Sequence, residues 1–256
     1  MVIALLTDFG TKDYFVGAMK GAILSINEKA VIVDITHEIA PQEIKAAGFT
    51  LRACYKDFPV KTIFVNVVDP GVGSERRAIL VATENYRFLA PDNGLLSFVF
   101  DEERNFKVYE LTVENFFAGK VSRTFHGRDI FAPVAAHLSN GAQPNEFGAD
   151  IKDFIHLAVA KPKKISEREI KAEIIHIDHF GNLVTNLKPE HLPAKFTVEI
   201  SGKTINELRS FYAEAEKGEL FMITGSAGFL EIAAFQRSAK EMLRIEVGEA
   251  VKLQAN

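Results

Sequence analysis

An acid and a guanidinium sit close together where a strand must stop. The stretch is Val65-Asn66-Val67-Val68-Asp69-Pro70-Gly71-Val72-Gly73-Ser74-Glu75-Arg76-Arg77. The apolar run Thr62 to Val68 reads as a strand. Pro70 has no amide for a sheet ladder and Gly71 tolerates a positive φ, so the strand ends there. Asp69 is thereby placed at a carboxyl strand end, with Arg76 beyond a tight loop. Crevices at such ends hold ligands in open α/β sheets. A plain strand-to-turn junction with a solvated Asp69 would account for the same residues.

Three more polar clusters fall at predicted strand ends or helix starts: Asp8 with Asp13, Asp92 with Asn93, and His126 with Arg128 and Asp129. Each alone has a bland explanation. Asp92-Asn93-Gly94 is a turn signal. Asp129 sits where a helix N-cap belongs, and Arg128 has a neighbouring acid to pair with. A lone His126 is more often structural than catalytic. Strand ends of one parallel sheet share an edge, so convergence is what would make these clusters a site. A carboxylate-held Mg²⁺ between Asp8 and Asp69 stays open. Walker loops, dinucleotide fingerprints, Gly-x-Ser-x-Gly elbows and zinc-ligand spacings are absent from the sequence.

The elements that would position these residues can be read in order. Val2 to Thr7 is a first strand and Tyr14 to Asn27 a helix, with Phe15, Met19, Ile23 and Ile26 at helical spacing. Val31 to Ile35 is a strand, Ile44 to Tyr55 a helix and Thr62 to Val68 a strand. This alternation predicts an α/β domain with a mostly parallel central sheet. Ala78 to Thr83 and Tyr86 to Ala90 form a hairpin, Phe106 to Leu111 a strand, and Ile130 to Leu138 a helix. After about Ala160 the helical signal fades. Ile170 to Ile177, Leu183 to Leu187, Phe196 to Ile200, Leu220 to Thr224, Phe229 to Phe235, Leu243 to Val247 and Ala250 to Leu253 all read as strands. A smaller, all-β, barrel-like C-terminal domain is expected. The expected division is residues 1–162 and 163–256. In the β domain, Phe180 offers a face and Asn182 a donor–acceptor pair, which together suit a purine. Thr224 to Gly228 is a second turn with small residues.

Composition narrows the partners. The chain has 256 residues and is 47% hydrophobic, enough for a full core. A net charge of −4 without a basic tract argues against nucleic acid. Its single cysteine, Cys54, makes no internal disulfide and reads as an inert thiol, which fits a cytoplasmic location. The apolar start, Met1 to Leu6, lacks a basic leader and is interrupted by Asp8. Neither a signal peptide nor a membrane span is expected.

Taken together, seven segments resemble the S-adenosylmethionine hydroxide adenosyltransferases, relatives of the fluorinating and chlorinating enzymes that attack the same molecule. They are Thr7-Asp8-Phe9-Gly10-Thr11, Val33-Asp34-Ile35-Thr36-His37, Val67-Val68-Asp69-Pro70-Gly71-Val72-Gly73, Pro91-Asp92-Asn93-Gly94-Leu95, Phe125-His126-Gly127-Arg128-Asp129, Phe180-Gly181-Asn182 through Thr185-Asn186, and Ser226 through Glu231. The likeness runs nearly end to end. It implies an α/β domain, a β-barrel domain, and a homotrimer whose active sites lie between subunits. The implied activity is hydrolysis of S-adenosyl-L-methionine to adenosine and L-methionine, with the sulfonium compound as substrate and no cofactor or metal. It implies that Asp69, Arg76 and His126 form a water-handling triad that the halogenating branch lacks. By position, Asp8 would hold the ribose hydroxyls, and Asp13 and Ser226 the methionine end. Phe180, Asn182, Tyr212 and the backbone near Ala239 would frame adenine. Arg237 and Ala227 depart from the expected pattern. On this reading His126 accepts or relays the proton, Arg76 stabilises the nascent hydroxide and Asp69 orients both. The rival readings are halide-dependent substitution, a metal-dependent phosphatase using Asp8, Asp69 and His126, and a nucleoside-binding scaffold without catalysis.

Overall fold

The computed structural model describes all 256 residues, in two compact units, Met1–Ala158 and Val159–Asn256. No helix is long and apolar enough to cross a membrane.

The first unit runs β1 (Val2–Thr7), α1 (Phe15–Ile26), β2 (Val31–Thr36), α2 (Ile44–Cys54), β3 (Ile63–Val67), β4 (Ala78–Thr83), β5 (Arg87–Pro91), α3 (Ser97–Glu102), β6 (Phe106–Glu110), α4 (Ala132–Ser139) and β7 (Asp150–Ile151). Its seven-stranded sheet has the order β2-β1-β3-β5-β4-β6-β7. The run β2-β1-β3-β5 is parallel and the remainder antiparallel. Alternation of side chains across the pleat explains its burial. On β1 and β3, Ile3, Leu5, Ile63, Val65 and Val67 face a core shared with α1 and α4. Ala4, Leu6 and Phe64 face the opposite core, shared with α2 and α3. Both faces of β1 and β3 are thus covered by helices, and the two strands are apolar except for Thr7 and Asn66. Removing a fully buried ring such as Phe64 from a core of this kind costs about 3–5 kcal/mol.

The helix expected over Ile130 to Leu138 is split. Residues Gly127–Phe131 form a π-turn and α4 follows it. Asp129 is therefore no N-cap. Its carboxylate is buried inside the turn, where it accepts from Ser122 N at 2.8 Å and Arg128 Nε at 2.6 Å.

The second unit contains β8 (Lys163–Lys164), β9 (Glu169–Ile177), β10 (Leu183–Thr185), β11 (Phe196–Ile200), β12 (Lys203–Ile205), β13 (Leu208–Arg209), β14 (Leu220–Thr224), β15 (Leu230–Ala234), α5 (Ala239–Leu243) and β16 (Ala250–Ala255). They form a nine-stranded, mainly antiparallel sheet with the path β12-β11-β16-β9-β10-β15-β14-β13, and β8 pairs with β9. The strand expected over Leu243 to Val247 does not form. Ser238 instead caps a short helix, its hydroxyl accepting from Glu241 N at 3.1 Å. Arg244, at φ 55°, then turns the chain out of it. The alternating apolar residues Leu243 and Ile245 still enter the core, and this burial is what the sequence pattern records.

Candidate active site

The site is built on the ends of β1 and β3. The two strands are parallel neighbours, with Thr7 opposite Val67. Asp8 and Asp69 therefore leave the sheet at the same edge. Asn93 holds the end of β3, its Nδ2 donating to Val68 O at 2.8 Å. Its neighbour Asp92 is structural: both Nε and an Nη of Arg77 donate to Asp92 Oδ2, and Ile155 N donates to Oδ1.

Beyond Asp69 the loop turns back on itself. Val72 N donates to Asp69 O, and Ser74 Oγ donates to Gly71 O. Arg76 N then donates to Ser74 Oγ at 3.2 Å. This folding returns the Arg76 side chain to Asp69. Arg76 Nε donates to Asp69 Oδ1 at 2.9 Å and to Oδ2 at 3.1 Å, and Nη2 also donates to Oδ2. Both side chains are nearly buried, with exposures of 5% for Asp69 and 11% for Arg76. The guanidinium carbon lies 5.7 Å from the centre of the Phe131 ring.

His126 completes the chain of contacts. Its Nδ1 lies 2.6 Å from Arg76 Nη2. The approach requires the two loops to touch, and Gly73 makes that possible. With φ at +78°, a Cβ on Gly73 would fall 2.0 Å from Arg123 O. Glycine alone satisfies both the torsion and the space. Phe125, next to His126, packs edge-on against Phe9 and Phe15, which fixes this turn to the loop after β1.

The electrostatics of His126 follow from its neighbours. Burial, and then the Arg76 cation, hold its pKa below the ordinary histidine value, while Asp69 and Asp129 pull more weakly the other way. A guanidinium has no acceptor, so Nδ1 must accept from Arg76 and the ring proton resides on Nε2. His126 is thus a neutral imidazole whose free edge is an N–H donor. Arg76 has already engaged the basic nitrogen.

The other expected residues fall as follows. Asp8 is partly buried and accepts from Gln42 N at 2.9 Å. Asp13 lies exposed just before α1. Below the Asp8 loop is a buried histidine that the sequence reading did not assign. His37 Nδ1 pairs with Thr7 Oγ1 at 2.8 Å, and its carbonyl accepts from Gly10 N. His37 Nε2 is 3.1 Å from Asp34 Oδ1 without forming an aligned hydrogen bond.

In the second unit, Phe180 and Asn182 share the turn after β9. Asp178 organises it, with Oδ1 accepting from Phe180 N and Asn182 N and Oδ2 from Asn182 Nδ2. Gly181, at φ +82°, approaches Ser238 so closely that a Cβ would lie 2.1 Å from Ser238 Oγ. Lys240 N donates to Gly181 O, which keeps Ala239 beside this turn. Phe180 and Ser226 are exposed. Tyr212 is partly exposed, and its phenol is raised by burial and then by the nearby Glu231 and Asp178 carboxylates. The sequence reading assigned no role to Asp178 or Glu231. The signal for Glu231 was an acid inside the apolar run Phe229 to Phe235.

Fold and site define a class: an α/β unit with an acid–guanidinium–imidazole chain at a parallel strand edge, joined in sequence to a β unit carrying an aromatic–amide turn. Residues 3–148 match the model of the SAM hydroxide adenosyltransferase N-terminal domain, and residues 172–252 that of the C-terminal domain. The chain belongs to the SAM hydroxide adenosyltransferase family. It is 34% identical to the (R)-S-adenosyl-L-methionine hydrolase of Methanocaldococcus jannaschii, over 98% of this chain and 95% of that protein. It is 32% identical to the protein of the same name from Thermus thermophilus, over 98% of both. A fluorinase from an Actinoplanes species is 29% identical over 73% of this chain and 71% of its own. A crystal structure of an uncharacterized conserved protein from Thermotoga maritima superposes with a TM-score of 0.93 at 35% identity, covering 99% of this chain and 100% of that one.

Proposed function

We propose that the protein hydrolyses S-adenosyl-L-methionine to adenosine and L-methionine by in-line attack of water on ribose C5′. One observation carries the reading: in a chain of this family, Asp69, Arg76 and His126 are joined by hydrogen bonds into one partly buried unit.

The substrate is a sulfonium, so methionine departs as a neutral thioether and needs no acid. The C–S electron pair goes to sulfur, and a water lone pair forms the C–O bond. Activation of that water is the difficulty. One cation about 4 Å from a nascent hydroxide contributes roughly 4 kcal/mol at a moderate effective dielectric. That is about three pKa units. Water starts near ~15.7, so Arg76 alone does not generate hydroxide at neutral pH.

The geometry redistributes the roles expected from sequence. With Nδ1 occupied by Arg76, His126 offers Nε2–H to one water lone pair and leaves the other for C5′. The proton is lost late, once the attacking oxygen carries positive charge, and Asp69 is the member of the unit with lone pairs to receive it. In-line placement in a dry pocket supplies the larger share, since effective molarities of order 10⁵ M or more are available. Asp8 for the ribose, Asp13 and Ser226 for the methionine end, and Phe180, Asn182, Tyr212 and Ala239 for adenine belong to the same proposal. So do the absence of a cofactor, a barrel-like C-terminal domain, a cytoplasmic location and a homotrimer with sites shared between subunits.

The metal-dependent alternative is disfavoured by the bonding. Arg76 already occupies both Asp69 oxygens and His126 Nδ1. The test is incubation with S-adenosylmethionine in ¹⁸O-water, followed by mass analysis. Heavy oxygen in the adenosine 5′-hydroxyl is expected. A 5′-halo-nucleoside, or no release of methionine, overturns the reading.

A further inference from the structure

Beneath the loop that carries Asp8 lies a line of polar side chains with no part in the reaction just described. It starts at the end of β1, where Thr7 Oγ1 accepts from Phe9 N at 3.2 Å and pairs with His37 Nδ1 at 2.8 Å. It continues through His37 Nε2, 3.1 Å from Asp34 Oδ1. It ends where Lys20 Nζ on α1 donates to Asp34 Oδ2 at 2.6 Å. Thr7 is fully buried and His37 is 4% exposed, whereas Asp34 and Lys20 reach solvent. An ionised carboxylate can only accept, so the ring proton belongs on Nε2, and Nδ1 accepts from the Thr7 hydroxyl.

An irregularity in the sheet places His37 there. β1 and β2 run in step from Val2 opposite Val31 to Leu5 opposite Asp34, then slip by one residue, so that Leu6 stands opposite Thr36. A bulge of this kind re-aims the side chains beyond it. Residues three apart on a regular strand point to opposite faces, yet Asp34 and His37 meet on one side. The same slip carries His37 to the level of Thr7.

The imidazole sits there at a cost. Its Nε2 is buried and has no aligned hydrogen bond. A buried polar atom left in that state is unfavourable, and an apolar side chain would avoid the penalty. Fold stability alone therefore does not account for a histidine. What His37 does is bracket Asp8. Its side chain holds Thr7, one residue before, and its carbonyl accepts from Gly10 N at 2.7 Å, two residues after. Farther along the same segment, Gln42 adopts a left-handed φ of 69° and its N donates to Asp8 Oδ2, which leaves Oδ1 for a ligand.

We infer that His37 is a positioning residue: through Thr7 and Gly10 it fixes the Asp8 carboxylate so that Oδ1 stands ready for a sugar hydroxyl. The inference rests on the role proposed above for Asp8 and goes beyond it by naming what holds that acid. A preset acceptor loses less freedom when the sugar arrives, so more of the contact appears as affinity.

The experiment is titration calorimetry of the full chain with adenosine and with 2′,3′-dideoxyadenosine, which lacks the two hydroxyls in question. The proteins are the wild type, Asp8→Ala, His37→Ala, His37→Asn and Thr7→Val. The wild type should bind adenosine about tenfold or more tightly, as expected for hydrogen bonds to a charged group. Asp8→Ala should bring the ratio close to one. His37→Ala should lower it several-fold and leave the affinity for dideoxyadenosine nearly unchanged, and Thr7→Val should act alike by removing the other half of the contact. Asparagine can set an amide oxygen near the place of Nδ1, so His37→Asn should recover part of the ratio. A general structural defect weakens both nucleosides alike and leaves the ratio unmoved. If His37→Ala fails to fold, Thr7→Val decides. The inference alone is overturned if Asp8→Ala collapses the ratio while the deciding variant keeps it, or if His37→Asn recovers nothing. The role of Asp8, and the inference with it, is overturned if Asp8→Ala keeps the ratio, if the wild-type ratio lies within about twofold, or if neither nucleoside binds. Methionine release from S-adenosylmethionine by the wild type scores the hydrolase reading separately.

Discussion

The Nδ1 atom of His126 accepts from the guanidinium of Arg76 at 2.6 Å, although fifty positions separate them in the chain. This contact assigns the imidazole tautomer and makes the ring a donor toward solvent. It also links Asp69, which never touches His126 directly, to the same unit through Arg76.

Removing either end of that unit should abolish chemistry and spare binding. Asp69→Ala and His126→Ala are expected to lower turnover by about 10² or more. Calorimetric affinity for S-adenosylmethionine should change little by comparison. Wild-type turnover in both variants would eliminate the triad.

The acid limb of the rate profile should reflect the depressed pKa of His126. Burial and Arg76 disfavour the imidazolium, so the neutral ring persists below the ordinary histidine value. Protonation would place a hydrogen on Nδ1 facing the guanidinium and break the unit. Activity measured as kcat/KM should therefore hold as pH falls through 6.5 and decline only below it. A limb centred above the ordinary value would contradict the assigned tautomer.

Gly73 is the point where the two loops cannot tolerate a side chain. Gly73→Ala must find room for a methyl 2.0 Å from Arg123 O, at a φ of +78°. It should cost more than about 1 kcal/mol in denaturant unfolding. Turnover should fall as well, because Arg76 and His126 are carried on the separated loops. Unchanged stability and rate together would show that the loops need not touch.

Glu231 should weaken the fold as its carboxyl ionises. Its folded pKa is raised to about 6 from 4.5 by burial and then Asp178. For an acid with a raised folded pKa, the ionisation cost is absent below the unfolded value. It grows between 4.5 and 6 and is complete above. Glu231→Gln should therefore stabilise the protein by up to about 2 kcal/mol at pH 8, with no gain near pH 4.5. Urea midpoints at the two pH values test the sign.

Most of the fold was legible because its signals are local. Pro70 and Gly71 end β3, and the spacing of Phe15, Met19, Ile23 and Ile26 marks α1. The Asp69 cluster was visible for the same reason, since a polar residue at a forced strand end stands out. What the residues alone did not show was the union with His126. It depends on the close approach at Gly73, and no local rule encodes the position of Arg123 O. The strand expected at Leu243 to Val247 failed because a Ser238 cap and a left-handed Arg244 override an apolar alternation that both structures satisfy. Asp178 and Glu231 carry weaker signals: an acid three residues before Gly181 reads as part of a turn, and an acid within an apolar strand reads as an outward-facing residue.

The π-turn at Gly127–Phe131 gives the chain a separable relation between shape and chemistry. Such a turn holds one residue more than a regular α-helix needs, and a helix advances about 100° per residue. Deleting a single codon there would let α4 continue regularly, keeping its apolar face in place. The imidazole would then swing by roughly that angle, out of reach of Arg76. One genetic step of this size would keep the scaffold and part the imidazole from the guanidinium.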